Sequence, residues 1–300
     1  MLPKLPSHIP RPEPKRLPDR KRMTAIIGFI YLDGVLMMAD TEESLGGDAK
    51  SECDKLCRFT FRCGTAGVGT ILTGGAGDSH LIDCANQELR QLLASRWIDT
   101  ETDILPALNR FAGDFFEELM RGYQGLDYRL VPSFEMLIAV NVRPNTYLFI
   151  WKGNRVVPAS THASIGVGIA QTHPILRDVQ FSGTCETMLF HGIRMMFQAK
   201  RAVVGVGGKT EAIALEGDGT TRFFGLEATR KIEDLVIGFE EFINKAIYMA
   251  VSNVSQGVME LDENVQKFLA EVPGIFHQYR EAYRQILTPP SASQTSKGQP

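Results

Sequence analysis

The chain has 300 residues, of which 44% are hydrophobic and 22% are charged, and its formal net charge is -3. This is the composition of a globular protein, and it excludes a disordered or fibrous chain. The charge also argues against a general polyanion binder, because binding to a phosphate backbone needs concentrated Lys and Arg. We therefore expect a folded protein that does not bind nucleic acid.

Cysteine and histidine usage gives no sign of a metal or cofactor. The six histidines form no HExxH or similar ligand pair, so we predict neither a metal nor a cofactor. The five cysteines are odd in number and irregularly spaced, which favours reduced thiols in a cytoplasmic chain over a disulfide framework. They are Cys53, Cys57, Cys63, Cys84 and Cys185. No run reaches the ~18 apolar residues of a membrane span, so we expect no membrane association.

Both ends of the chain have compositions that cannot pack. Residues 1–23 alternate proline with basic residues and predict an extended leader or propeptide. Residues 289–300 predict a frayed tail for the same reason.

The first predicted elements are strands followed by helices. Residues 24–40, TAIIGFIYLDGVLMMAD, predict a hairpin that turns at Asp33-Gly34. Helical periodicity follows over 80–96 and again over 101–122, where Thr100 and Asp103 approximate a capping box.

A second β region and more helices complete the pattern. Residues 133–142 predict a strand, and a hairpin turns at Gly153-Asn154. A helix, two short strands and two long helices follow, the last of them interrupted by Pro273. They cover 186–203, 211–219, 221–225, 231–252 and 263–287. Strand runs separated by helix pairs indicate an α+β protein with layered sheets and helices outside them.

Residues 205–210, GVGGKT, look like the end of a phosphate-binding loop. The motif requires a glycine where Val203 stands, and a strand pattern follows where a helix should begin. We therefore predict no nucleotide site here.

Thr24 is the residue with the most distinctive chemical potential. A threonine hydroxyl is a poor nucleophile and needs a base within hydrogen-bond reach. An N-terminal threonine carries that base itself, since an α-amino group has a pKa of about 7.7 to 8.0, whereas an amide nitrogen cannot take the proton. Removal of Met1 to Met23 would therefore make Thr24 a nucleophile for amide bonds.

Asp40 and Lys55 supply suitable charges near Thr24 in sequence. A lysine beside the hydroxyl would lower its pKa, and Asp40 would hold the ammonium in place. A two-residue turn at Asp33-Gly34 would pair Ile27 with Asp40, which puts Thr24 three residues beyond the pair. The terminus must then bend, or the register must contain a bulge.

From Thr24 to about Gly225 the chain resembles the proteasome β-type family of N-terminal nucleophile (Ntn) hydrolases, including bacterial proteasome-like peptidases. The matching motifs are TAIIGFIYLDGVLMMAD with Gly28, CDKL with Lys55, TGGAGDSHLID from Thr73 and SIGVGIA from Ser164.

The resemblance implies a four-layer αββα sandwich over 24–225. The helical pattern that follows predicts a C-terminal helical extension over 226–288. It implies a threonine peptidase in which Thr24 is the nucleophile, Lys55 and Asp40 are its charge partners, and a backbone N–H near Gly74 is the oxyanion donor. It also implies a homo-oligomeric ring that encloses the sites, acts on peptides or unfolded proteins and is usually supplied by an ATP-driven unfoldase.

Several positions depart from that family. Val167 and Val203 replace a serine and an aspartate that usually help to hold the terminal amine, and Glu42 stands where arginine is common. Met23 replaces the glycine that usually precedes a self-processed threonine. If translation begins at Met23, removal of the initiator methionine would expose Thr24.

Three functions stay open on the sequence alone. The first is a threonine peptidase of a self-compartmentalising ring, and the second is a non-catalytic ring subunit or scaffold. The third is an Ntn amidase that acts on a small molecule outside any large ring.

Overall fold

The computed structural model describes residues 24–46, 49–63, 67–95, 103–124, 131–166, 183–252 and 258–288. The predicted leader and tail, Val167 and the helix start at Thr100 lie outside these residues. The chain divides into two compact units, Met1–Phe224 and Gly225–Pro300. The finer domain limits taken from the sequence stay a prediction.

The first unit contains two five-stranded antiparallel sheets. Sheet 1 has the strand order β10-β1-β2-β11-β12, and sheet 2 has the order β5-β6-β7-β8-β9. Sheet 1 consists of β1 (Ala25–Tyr31), β2 (Gly34–Asp40), β10 (His162–Gly166), β11 (Thr210–Glu216) and β12 (Thr221–Phe224). Sheet 2 consists of β5 (Leu56–Cys63), β6 (Gly67–Gly77), β7 (Phe134–Val142), β8 (Asn145–Lys152) and β9 (Arg155–Pro158). The short strands β3 (Glu42–Gly46) and β4 (Ala49–Glu52) pair with each other.

Five helices occur in the described part of the chain. The first unit contains α1 (Ser79–Ser95), α2 (Ile104–Gly122) and α3 (Cys185–Ala202), and the second contains α4 (Leu226–Ser252) and α5 (Val258–Leu287). With the two antiparallel sheets, they confirm the predicted α+β class. None of the helices in the described ranges has the length and apolar character needed to cross a membrane.

The inner faces of the two sheets pack against each other. Alternate residues of β2, represented by Val35 and Met37, share one buried cluster with Leu72 and Leu137 of sheet 2. All seven residues of β2 are buried, so its other face is covered as well. Each fully buried aliphatic side chain contributes about 1.5–3 kcal/mol. Burial of these side chains therefore stabilises the central strands.

Helices cover the outer faces of the sheets. On sheet 2, Leu89 of α1 and Phe115 of α2 belong to a cluster with Trp151 of β8. On sheet 1, Gly192 of α3 lies against Met38, because an added Cβ would contact that side chain. The close approach explains a glycine in the middle of a helix, where it otherwise costs about 0.5–1 kcal/mol.

The first hairpin forms as predicted, but its predicted register is wrong. Tyr31 lies opposite Gly34 and Ile26 lies opposite Ala39, so the turn residues are Leu32 and Asp33. Gly34 is not among the residues with positive φ. It is small because an added Cβ would contact the carbonyl oxygen of Leu215 in β11. The correct register brings Asp40 next to Ala25 without the predicted bulge.

Two other predictions can be compared directly with the structure. The second hairpin is confirmed, since Lys152 lies opposite Arg155 across a Gly153-Asn154 turn in which Gly153 has φ of 56°. The predicted interruption at Pro273 is wrong, because α5 continues through this residue. Proline removes one backbone donor, but a 30-residue helix retains its other hydrogen bonds.

Candidate functional site

Thr24 immediately precedes β1 and is only 7% exposed. Its backbone carbonyl lies against Gly166 at the end of β10, where an added Cβ would contact the oxygen and lie 2.8 Å from the carbonyl carbon. The same Cβ would lie 3.3 Å from Ala76 of β6. The Thr24 backbone therefore lies at the end of β10, close to where β6 of the other sheet also passes.

Lys55 lies just before β5 and directs its ammonium group towards Thr24. The Nζ atom donates to Thr24 Oγ1 at 3.2 Å, to Asp40 Oδ1 at 3.0 Å and to the backbone carbonyl of Glu42 at 2.5 Å. An ammonium group has three donors, and these contacts account for all of them. The Lys55 side chain is 9% exposed, so a positive charge is fixed beside the hydroxyl in a largely dry environment.

Asp40 is completely buried at the end of β2. Its Oδ1 accepts from the backbone N–H of Ala25 at 2.9 Å as well as from Lys55, and its Oδ2 accepts from the N–H of Gly207 at 3.3 Å. Burial raises the pKa of the Asp40 carboxyl, whereas the Lys55 charge and the two backbone donors oppose that rise. The structure thus brings together Thr24, Asp40 and Lys55, the three side chains singled out in the sequence.

The segment that resembles a phosphate loop is part of this site. It contributes the Gly207 N–H to Asp40, and its Lys209 N–H donates to Thr41 Oγ1 at 2.8 Å. An added Cβ at Gly207 would lie 2.5 Å from a carboxylate oxygen of Glu42, so the glycine allows the loop to come close. Gly207 and Gly208 therefore allow this loop to lie close to Thr41 and Glu42.

Glu211 is a member of the site that the sequence analysis missed. Its Oε2 accepts from the backbone N–H of Lys55 at 3.0 Å and from that of Leu56 at 3.1 Å. Burial raises the pKa of the Glu211 carboxyl, and the two backbone donors lower it. No sequence motif marks Glu211, because its partners lie about 155 residues away along the chain.

Gly74 lies within β6, opposite Leu56 on one side and Leu137 on the other. An added Cβ at Gly74 would lie 2.8 Å from Leu56 and 3.2 Å from Ile26, which is two residues after Thr24. This crowding accounts for the glycine. The role of Gly74 as an oxyanion donor stays a prediction.

Val203 ends α3, and its N–H donates to the carbonyl of Ala199 at 2.9 Å. The Val203 position is half-buried, whereas Val167 lies outside the described residues. How the terminal amine of Thr24 would be held thus stays open at both positions.

A second polar cluster lies at the opposite end of sheet 1. Tyr31 donates to Glu216 at 2.5 Å, and Arg222 pairs with Glu186 at 2.8 Å and with Glu216 at 3.4 Å. The thiol of Cys185 lies beside Arg222 and Tyr31, and burial raises its pKa to about 11. Among the described residues, no group of three or more His, Cys, Asp or Glu side chains could hold a metal ion.

No known protein-family profile matches this chain, and no curated protein does. Solved structures do match. Anbu (ancestral beta-subunit) from Yersinia bercovieri is 14% identical with a TM-score of 0.59, and the match covers 78% of this chain and 99% of that one. The Anbu (Gly-1) mutant from Hyphomicrobium sp. strain MC1 is 14% identical with a TM-score of 0.58, covering 79% and 100%.

A third match is described as the helical assembly of the Anbu complex from Pseudomonas aeruginosa. It is 15% identical with a TM-score of 0.54, and it covers 89% of this chain and 99% of that one. At these identities the likeness shows the fold alone.

The matches correct the family suggested by the sequence motifs. The assignment to the proteasome β-type family and its bacterial proteasome-like peptidases is wrong, because these matching structures are Anbu proteins, a related proteasome-like group. The motifs around Thr24, Asp40 and Lys55 describe a local arrangement of residues. Such an arrangement does not distinguish one family from another.

Proposed function

We propose that the chain is an Ntn hydrolase of the threonine type that cleaves peptide bonds once Thr24 is its first residue. The observation that carries the proposal is the Lys55 ammonium, 3.2 Å from Thr24 Oγ1 and 3.0 Å from a carboxylate that is fully buried. We also propose that the packed sheets and helices of the first unit are the four-layer αββα sandwich of Ntn hydrolases.

The ion pair would favour the nucleophilic form of Thr24. A positive charge held beside a hydroxyl lowers the pKa of that hydroxyl, and burial strengthens the effect because water cannot screen the charge. Asp40 would hold the Lys55 ammonium in place and prevent it from moving to another acceptor. Lys55 would therefore act on Thr24 Oγ1 by its charge and position.

The α-amine of an exposed Thr24 would carry the proton. It would take the hydroxyl proton while Oγ1 attacks the carbonyl carbon of the substrate, and the carbonyl electrons would move to oxygen. A backbone N–H near Gly74 is the proposed donor to that oxyanion. Collapse of the intermediate would break the C–N bond, and the proton would pass to the leaving amine. Water would then hydrolyse the ester, release the acid and regenerate Thr24.

We propose that this chain acts as a homo-oligomer that encloses its sites. Support comes from the fold shared with Anbu and from the Pseudomonas aeruginosa protein, which is described as a helical assembly. An enclosed threonine site would act on unfolded or short peptides, delivered by an ATP-dependent unfoldase. A cytoplasmic location belongs to the same proposal.

The test compares the chain that begins at Met1 with one that begins at Thr24, after mass spectrometry has established each N-terminus. The form with Thr24 first should cleave peptides, and Thr24→Ala should lower kcat by about 10³-fold or more, whereas Thr24→Ser should retain activity.

Undiminished cleavage by Thr24→Ala would reject this nucleophile. Cleavage of small amides but of no peptide would favour the amidase, and no cleavage of either would favour a non-catalytic subunit.

A further inference from the structure

The backbone at the start of β5 is held by a side chain from the other sheet. Lys55 lies one residue before the strand, and Leu56 is the strand residue opposite Gly74. The N–H groups of both Lys55 and Leu56 donate to a single oxygen of Glu211. Glu211 thus takes over at the strand end the role that a neighbouring strand has elsewhere in the ladder.

Strand β11 aims Glu211 at this position. Ile213 and Leu215 belong to the cluster between the sheets, and Glu211 lies on the same face of β11 because alternate strand residues share a face. In the register of sheet 1, Thr210 lies opposite Asp40. One strand therefore locates both members of the ion pair: Asp40 through backbone pairing, and Lys55 through the Glu211 side chain.

Glu211 acts on Lys55 through the backbone and not through its charge. The three donors of the Lys55 ammonium go to Thr24, Asp40 and the carbonyl of Glu42. The hydrogen bond from Lys55 to Glu211 comes from the backbone nitrogen instead. The two N–H groups therefore require an acceptor oxygen at this distance.

We infer that Glu211 is a positioning residue that sets where the Lys55 backbone begins β5 and thereby holds the Lys55 ammonium against Thr24 Oγ1. The structural part of this inference stands independently, whereas its effect on catalysis rests on the proposed function. A misplacement of about 1 Å can lower a rate about 10²-fold, so the effect is measurable.

The experiment uses the full chain and three substitutions on β11. Glu211→Ala removes the acceptor, and Glu211→Gln retains an oxygen at the same distance. Glu216→Ala is the matched control, because Glu216 is a half-buried glutamate at the other end of the strand. The first measurement is the rate at which an amine-acylating reagent modifies Lys55, followed by peptide mass spectrometry, which requires no enzymatic activity.

Glu211→Ala should raise the modification rate of Lys55 by about tenfold or more. In the unsubstituted chain the Lys55 side chain is only 9% exposed, and the substitution releases its ammonium from that position. Glu211→Gln and Glu216→Ala should leave that rate within about twofold of the unsubstituted chain. If Glu211→Ala does not fold, Glu211→Asp replaces it, since the shorter side chain cannot reach both N–H groups.

The second measurement is kinetic and uses the form with Thr24 first. Glu211→Ala should lower kcat by about 10- to 100-fold with little change in KM, and Glu211→Gln should restore it. An unchanged Lys55 rate in folded Glu211→Ala, or a Glu211→Gln variant as impaired as Glu211→Ala, would overturn the inference. If the unsubstituted protein cleaves no peptide, the proposed function is rejected but this inference is not, because the modification rates of Lys55 still test the role of Glu211.

Discussion

Sheet 1 has a polar cluster at each end of its strands, and the two clusters differ in how far solvent reaches the positive charge. At one end Lys55 is 9% exposed and its partner Asp40 is fully buried. At the other end Arg222 is 43% exposed, and it is shared between Glu186 and Glu216. Both clusters therefore contain an ion pair, but only the first holds its charge away from water and beside a threonine hydroxyl.

The difference shows why an ion pair by itself does not identify a site. Solvent screens the Arg222 pairs, so their contribution is to join the start of α3 to β12. A buried charge costs several kcal/mol in lost hydration, and a protein retains it where hydrogen bonds and a partner offset that cost. Lys55 has both, and one of its three donors goes to Thr24 Oγ1.

Matched removal of the two cations gives the largest expected contrast. Lys55→Met should lower peptide cleavage by about 10³-fold or more and reduce the free energy of unfolding by about 3–5 kcal/mol, because Asp40 is left as an unpaired buried charge. Arg222→Met should reduce stability by no more than about 1 kcal/mol and leave cleavage intact. Urea unfolding and peptide assays measure both.

A double substitution provides the control for the Lys55 result. Lys55→Met combined with Asp40→Asn removes both charges, so it should recover part of the lost stability but none of the activity. Equal losses of activity in Lys55→Met and Arg222→Met would contradict the distinction between the clusters.

Two glycines with positive φ allow a similar comparison between a position beside Thr24 and one remote from it, with a smaller expected effect. Gly166 has φ of 87° and its missing Cβ would contact the carbonyl of Thr24, whereas Gly153 has φ of 56° and open space around it. Gly153→Ala should cost about 1–2 kcal/mol of stability, the strain of a left-handed alanine, without affecting cleavage. Gly166→Ala should cost more and lower kcat by about 10²-fold, because Thr24 is displaced.

Thermal unfolding and steady-state kinetics of both variants check this prediction. A Gly166→Ala variant with full activity would show that the position of the Thr24 backbone is unimportant.

The smallest effect concerns the thiol in the second cluster. Burial raises the pKa of Cys185 to about 11, so the reactive thiolate forms only as the pH rises towards that value. At pH 8 iodoacetamide should therefore modify the half-buried Cys57 well before Cys185, which is 4% exposed. Mass spectrometry of timed samples measures the order, and urea-unfolded protein should lose the difference. Equal rates in the folded protein would show that this end of the sheet opens readily.

Local sequence pattern predicts most of the elements and selects three side chains that the structure brings together. Thr24, Asp40 and Lys55 lie within 32 positions of one another, so hairpin signals and residue chemistry were enough to select them. The predicted register of that hairpin is wrong by two positions. Gly34 is required by its close approach to the carbonyl of Leu215 in a distant strand, and not by the turn. A turn rule contains no information about such a neighbour.

Contacts over long sequence distances explain the other omissions. No motif marks Glu211, and the glycines of the 205–210 loop resemble those of a phosphate-binding loop. The actual partner of the 205–210 loop is Asp40, 167 residues from Gly207 in the chain. Similarly, Pro273 was expected to break a helix on local grounds, but α5 continues past it.

The position of β11 in the chain has a consequence for biosynthesis. Lys55 and Asp40 are synthesised early, but Glu211 and Gly207, which contact them, follow more than 150 residues later. Until both have been synthesised, a nascent chain lacks two of the contacts that set this ion pair. Under the proposed function, the site would therefore be complete only after β11 has been synthesised.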